Sequence, residues 1–250
     1  MMGVSSMEPI YQQDFTISDV HVDRYGRLRP SMILYFAQEI AGRHCQELAV
    51  DYDTLAKRRL FWAVTRHRVQ ITRMPVCGET LHIETWPMPT TRVAYPRSMV
   101  AYDADGQECF RSISLWVLMD LDTRNMILPG KSGIEVAGTI RGLELATPNG
   151  LIAKPLGSQR SRSVCFTDLD RNGHMNNTRY LDWVEDLLPS VFHARNTPRE
   201  FTICYLSEAR EGQELTMQWD FLEENCLQVD GHRKNEEGKD ERVFSTRILY

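Results

Sequence analysis

An aspartate, an asparagine and a histidine alternate in Asp170-Arg171-Asn172-Gly173-His174-Met175-Asn176-Asn177, an extended turn that runs into a helical pattern. That setting suits carbonyl chemistry. Amides at a helix start have no intrahelical partner and carry partial positive charge, so a carbonyl oxygen that becomes an oxyanion is stabilised there. An imidazole donates a hydrogen bond to such an oxygen or relays a proton. Asn172 can orient it, and Asp170 can fix the histidine tautomer or hold a water. The same residues also make an ordinary turn, since Asn-Gly and Asp favour turns and His174 could only cap the helix. On this motif alone the two readings are even.

A second copy tips the balance. Asp23-Arg24-Tyr25-Gly26-Arg27-Leu28-Arg29-Pro30 repeats Asp-Arg-x-Gly at a shift of 147 residues, with Tyr25 and Arg27 in place of Asn172 and His174. A structural turn gives no reason for that difference, whereas a duplicated unit with one live and one decayed site does. Gly78-Glu79-Thr80-Leu81 matches Gly212-Gln213-Glu214-Leu215 at a shift of 134, so the first repeat carries 13 extra residues between helix and next strand, around 49–59. Glu208, whose counterpart at that shift is Met74, is the other candidate. A carboxylate at a strand end beside an apolar cavity can act as a base toward water. The competing reading is a surface glutamate paired with Arg210.

The elements that must position these residues come twice in one order. A strand over 14–22, the first turn and a helix over 31–48 lead the first repeat; Ile33, Phe36, Ala37, Ile40, Ala41 and Leu48 share one helix face. Strands follow over 60–72 and 80–86, joined by a turn at 75–78, and over 93–102 and 108–119, joined by the hairpin turn Asp103-Ala104-Asp105-Gly106. The second repeat has a strand over 159–167 and a helix over 178–191, with Tyr180, Leu181, Val184, Leu187, Leu188 and Val191 on one face and Asn177 as N-cap. Strands over 201–206, 214–222, 227–230 and 243–250 complete it, with a charged, exposed loop over 232–242. One amphipathic helix in the concave face of a curved antiparallel sheet, twice, defines an α+β chain of two tandem hotdog domains packed as an internal pseudo-dimer. The predicted division is 1–140, a Gly- and Pro-containing linker 141–156, and 157–250.

Composition excludes several other roles. The chain has 250 residues, 42% hydrophobic and 25% charged, the profile of a soluble globular protein. A net charge of −5 argues against nucleic-acid or anionic-membrane binding. No apolar run approaches the roughly 20 residues of a membrane span, and residues 1–14 lack the basic-then-apolar order of a signal peptide. Six scattered cysteines without a CxxC pair read as buried free thiols in a reducing cytoplasm. The seven histidines show no metal-ligand spacing, so neither metal nor cofactor is expected. The five tryptophans read as core. Lys57-Arg58-Arg59 with Arg66, Arg68 and Arg73 reads as a solvated basic face, with a docking surface for an acidic carrier or pantetheine phosphates as the alternative.

Three segments resemble acyl-acyl-carrier-protein thioesterases of the bacterial, double-hotdog type. They are residues 168–183, Leu60-Phe61-Trp62-Ala63-Val64-Thr65-Arg66 with the strand through Trp86, and residues 114–120 with Thr123-Arg124. The resemblance runs from about Asp14 to the C-terminus. It implies a hydrolase of fatty acid biosynthesis that releases a fatty acid from its carrier thioester, with Asp170, Asn172, His174 and Glu208 as catalytic residues. Plant members carry a cysteine just after the glutamate; Ala209 stands here, which leaves water as the nucleophile. Acyl carrier protein is then the expected partner, homodimerisation is left open, and the acyl chain is expected between helix and sheet, mainly of the first repeat. An acyl-CoA thioesterase, a hydratase on the same fold and a non-catalytic acyl-binding sensor are the alternatives; the sensor would need an output module that no spare segment provides.

Overall fold

The computed structural model describes residues 9–235 and 237–250. Residues 1–8 of the stretch read for a leader, and Glu236 of the predicted charged loop, lie outside the described residues. The first half contains β1 (Tyr11–Thr16), α1 (Pro30–Glu47), α2 (Tyr52–Ala56), β2 (Leu60–Ile71), β3 (Thr80–Pro87), β4 (Tyr95–Tyr102), β5 (Glu108–Asp120), β6 (Met126–Ile127) and α3 (Pro129–Ser132). The second contains β7 (Ser158–Ser163), α4 (Arg179–Glu185), α5 (Ser190–Arg195), β8 (Glu200–Tyr205), β9 (Glu214–Glu223), β10 (Cys226–Lys234) and β11 (Asp240–Leu249).

All strands join one antiparallel sheet in the order β1-β3-β4-β5-β2-β8-β11-β10-β9-β7, with β6 on β5. Each half therefore lays its strands out alike, and the halves meet where β2 pairs with β8 and Arg68 faces Thr202. Those two residues are themselves related by the shift of 134, so a pseudo-two-fold axis passes between them. The duplication is visible bond by bond. Leu28 N donates to Pro75 O and Met175 N to Ala209 O, both at 2.8 Å. Gly78 N donates to Ile17 O at 2.8 Å and Gly212 N to Val164 O at 2.9 Å. The α+β class and the double hotdog architecture hold: the apolar stripe of α1 (Ile33, Phe36, Ile40) and that of α4 (Tyr180, Leu181, Val184) enter one continuous core with Val69, Phe201, Ile203 and Phe244. Each fully buried Phe or Ile there contributes about 1.5–3 kcal/mol.

Several elements differ from the sequence reading. The second helix stops at Glu185 and α5 begins after Pro189, because proline has no N–H for the helix ladder and its ring clashes with the preceding turn. Val191 consequently points outward, 61% exposed. The first strand ends at Thr16, and residues 19–21 form a single 3-10 turn. The predicted charged loop is largely strand: Arg233 pairs with Glu241 and Lys234 with Asp240, opposite charges that favour cross-strand pairing. Strands β2 and β3 are not neighbours, since β3 lies between β1 and β4. The irregular stretch before β7 lies along the sheet: Glu144 accepts from Trp86 Nε1 at 3.0 Å, Pro148 O from Arg66 and Ile152 O from Gln228.

The 13 extra residues of the first repeat have a structural meaning. They hold α2, and on either side of them α1 is longer than α4 and β2 longer than β8, so that residues 60–64 pair with β5 alone, past the end of β8. This extended strand pair, bulged beside Thr65, projects from the first half toward the motif of the second.

Candidate active site

The turn at 170–174 is closed by its own aspartate. Asp170 Oδ1 accepts from the amides of Asn172 (2.8 Å) and His174 (3.4 Å), and Asp170 N donates to His174 O. Gly173 sits at φ +74°, a conformation that favours glycine. Asn172 Nδ2 lies 3.4 Å from Asp170 Oδ2. The loop that carries Glu208 is held from behind by Arg233, which donates to Glu208 O, to Gln213 Oε1 and to Ser207 Oγ. These two scaffolds bring His174 Nε2 within 3.2 Å of Glu208 Oε2.

A third group, Arg124, completes the cluster from the opposite half. Strand β5 ends in a turn toward β6 where Asp120 Oδ1 accepts from the amides of Asp122 and Thr123, and Arg124 sits there at φ +57°. Its guanidinium lies 4.5 Å from the centre of the Phe61 ring, donates to Glu208 Oε1 at 2.5 Å and stands 3.1 and 3.0 Å from Nδ1 and Nε2 of His174. One histidine tautomer satisfies both partners: Nε2–H donates to Glu208 and Nδ1 accepts from Arg124. Burial lowers the His174 pKa, the Arg124 cation lowers it further, and the Glu208 carboxylate opposes them without reversing the shift. The imidazole is therefore neutral near pH 7. Arg210, the sequence-predicted partner of Glu208, stands 4.0 Å away; Arg124 takes that place. Sequence reasoning reached Arg124 only as part of a family-like segment, because its partners lie 50 and 84 residues away.

Two local expectations change. Thr178, not Asn177, is the N-cap of α4; just before it Asn176 Oδ1 accepts from Thr178 N and Oγ1, and Asn176 O accepts from Arg179 N. The Thr178 and Arg179 amides are thus occupied. The basic group at 57–73 is dispersed into separate contacts. Arg68 grips Glu200 and Arg73 grips Glu79 in bidentate pairs, Arg59 pairs with Asp122, and Arg58 and Arg66 bind carbonyls.

His174, Asn172, Asp170 and Glu208 open onto a cavity of about 630 Å3 that extends into the first half, between α1 (Gln38, Ala41, Cys45) and the walls of β2 and β5. Trp86 and Trp183 are core as expected, whereas Trp62 and Trp116 line this cavity. Asn177 Oδ1 is buried without a partner and its residue also lines it. The volume is within the roughly 300–1,000 Å3 typical of small-molecule sites. A cavity walled by Phe61, Trp62, Val64 and Val117, lined also by the Glu208 carboxylate and the His174 imidazole, both of them bonded to Arg124, can hold an apolar chain beside a polar reacting group.

Known proteins place the chain in a family. Family models of the N-terminal and C-terminal domains of acyl-ACP thioesterases match residues 8–128 and 156–248, and the chain belongs to that family. It is 25% identical, over 88% of its length, to a chloroplastic palmitoyl-acyl carrier protein thioesterase of Gossypium hirsutum, of which it covers 58%. It is 24% identical to an oleoyl-acyl carrier protein thioesterase of Arabidopsis thaliana, matching 80% of this chain and 61% of the relative. The chain thus spans a little over half the length of these curated relatives. Among solved structures, an acyl-ACP thioesterase from Bacteroides thetaiotaomicron aligns with a TM-score of 0.83, 24% identity and coverage of 96% and 97% of the two chains. A 12:0-ACP thioesterase from Umbellularia californica aligns at 0.81, 20% and 97% of each. These likenesses establish the fold. No described helix is long and apolar enough to cross a membrane.

Proposed function

We propose that this protein hydrolyses a fatty acyl thioester carried on acyl carrier protein, releasing the free fatty acid, in the cytoplasm. One observation carries the reading: Glu208 and His174, both bonded to Arg124, line a largely apolar cavity large enough for an acyl chain. The family membership and the names of the relatives support the thioester and its carrier.

In the proposed division of labour, the half up to residue 140 binds the acyl chain and residues 157–250 supply the catalytic groups, joined by residues 141–156. The thioester carbonyl sits beside Asn172 and Arg124, while His174, its Nε2–H on Glu208, orients that carboxylate. Glu208 is the base. It takes a proton from water as the water oxygen bonds to the carbonyl carbon, and the carbonyl oxygen becomes an oxyanion held by the nearby donors. The tetrahedral species collapses, the C–S bond breaks, and the thiolate leaves with the proton from Glu208. Asp170 holds the turn and, through its side chain, Asn172. Asp170 as the water-activating group is the competing assignment. The test is incubation of the purified chain with acyl-ACP and acyl-CoA of several lengths, with measurement of free thiol and fatty acid. Release from both at equal efficiency would remove the carrier assignment; release from neither would remove the function.

A further inference from the structure

We infer that the first repeat, having lost its catalytic groups, holds in their place a pocket for the phosphate or diphosphate of a small molecule. The pseudo-two-fold carries the acyl cavity onto a second pocket of about 550 Å3. The correspondence is position by position. At the shift of 147, His174 becomes Arg27; at the shift of 134, Glu208 becomes Met74 and Trp116 becomes Tyr250. The cavity wall Phe61-Trp62-Ala63-Val64-Thr65 becomes Arg195-Asn196-Thr197-Pro198-Arg199. An aromatic and aliphatic wall is thereby replaced by two guanidiniums, an amide and a hydroxyl.

The charge of this pocket is distinctive. Three arginines line it and no carboxylate side chain does, on a chain of net charge −5. Arg27 is committed to the frame: it binds Asp23, Thr197 Oγ1 at 3.0 Å and His193 O at 2.7 Å. Arg195 and Arg199 are in no ion pair among the described residues. The backbone of Arg199 is fixed between strands, donating to Leu249 O and accepting from Ile71 N, each at 2.7 Å. Guanidinium forks bind phosphate oxygens in pairs; two of them line this pocket without a carboxylate partner among the described residues, and Thr72 and Asn225 add neutral polar groups. Glu79, which accepts from the amide of the lining residue Val76, is paired with Arg73. Asp23 is neutralised by Arg27, and the Glu185 carboxyl, pushed up to about 8 by burial, is largely protonated at pH 7. The volume exceeds what one phosphate needs, which leaves room for the group that bears it.

Calorimetric titration of inorganic phosphate, inorganic pyrophosphate and ADP at low ionic strength tests the site. Wild type, the double variant Arg195→Glu/Arg199→Glu and His174→Ala are compared, with circular dichroism to check the fold; both arginines are exposed, so the fold is expected to survive. Wild type and His174→Ala should bind pyrophosphate saturably with one site per chain, and charge reversal should weaken binding at least about tenfold, the scale of one charge-assisted hydrogen bond. Tighter binding of ADP than of pyrophosphate would assign a nucleotide diphosphate; equal affinities would assign the phosphate group alone. No saturable binding, equal binding by wild type and the double variant, or binding lost in His174→Ala but kept in the double variant would overturn the inference. None of these outcomes depends on thioester hydrolysis.

Discussion

The turns at 23–30 and 170–177 share a backbone and differ in what they attach to it. Asp23 Oδ1 accepts from the amides two and four residues on, as Asp170 Oδ1 does, and Gly26 and Gly173 sit at φ +75° and +74°. In the first copy the side chains turn to adhesion: Tyr25 Oη donates to Ser190 O, and Arg27 ties Asp23 to His193 and Thr197 of the other half. In the second, Asn172 and His174 face a cavity, and the adhesive contact is made instead by Arg124, which arrives from the first half onto Glu208. The comparison teaches that the scaffold is neutral between the two roles. Two side chains on the turn and one reaching across decide whether it holds the halves together or faces a substrate.

The strongest test of that comparison is removal of the groups that only the second copy has. His174→Ala should lower kcat about 10²-fold or more while the fold survives, and Glu208→Gln should do the same with KM little changed. An unfolded His174 variant would return the motif to a structural turn, and a Glu208 variant near wild-type kcat would move the base to Asp170.

Arg124→Met should lower kcat/KM about tenfold or more, the loss of a hydrogen bond between charged groups. It should also move the pH profile. Arg124 depresses the His174 pKa, so its removal lets His174 take up a proton at higher pH, and the acidic limb of the rate profile should shift upward. A lower but unshifted profile would limit Arg124 to packing against Phe61.

The two aspartates separate stability from rate. Because each closes its turn by the same bonds, Asp23→Ala and Asp170→Ala should each cost on the order of 1 kcal/mol of stability in denaturant unfolding. Only Asp170→Ala should also reduce kcat per folded chain. Equal loss of kcat in both would break the picture of one live and one decayed copy.

The smallest effect concerns equivalent helix positions. Gln38 of α1 lines the cavity beside His174, and Glu185 stands at the same place in α4, related by the shift of 147. Burial first, then the Asp182 and Asp23 carboxylates, push the Glu185 carboxyl up to about 8. With its folded pKa above the unfolded one, the stability it contributes is full at pH 4 and below and is lost as pH rises through about 8. The melting temperature of Glu185→Gln should therefore gain on wild type between pH 5 and pH 9, by a few degrees at the alkaline end. Parallel curves would show that Glu185 is ionised and solvated throughout.

Much of this molecule is written locally. The repeated Asp-Arg-x-Gly, the Gly78 and Gly212 registers and the helical stripes specify two alike units, because turn chemistry and hydrophobic period act over a few residues. The side chains that could do chemistry, Asp170, Asn172, His174 and Glu208, were legible for the same reason: a duplicated sequence shows where its copies differ. The break at Pro189 was also legible in principle, but the apolar residues beyond it masked it. What only the tertiary structure decided are the contacts that span the halves. The pairing of β2 with β8 sets the pseudo-two-fold, the extra length of β2 and β5 carries Arg124 to His174 and Glu208, and Arg68 reaches Glu200. Those contacts join residues from 50 (Arg124 and His174) to 138 (Arg66 and Cys204) positions apart, and no local pattern encodes that distance.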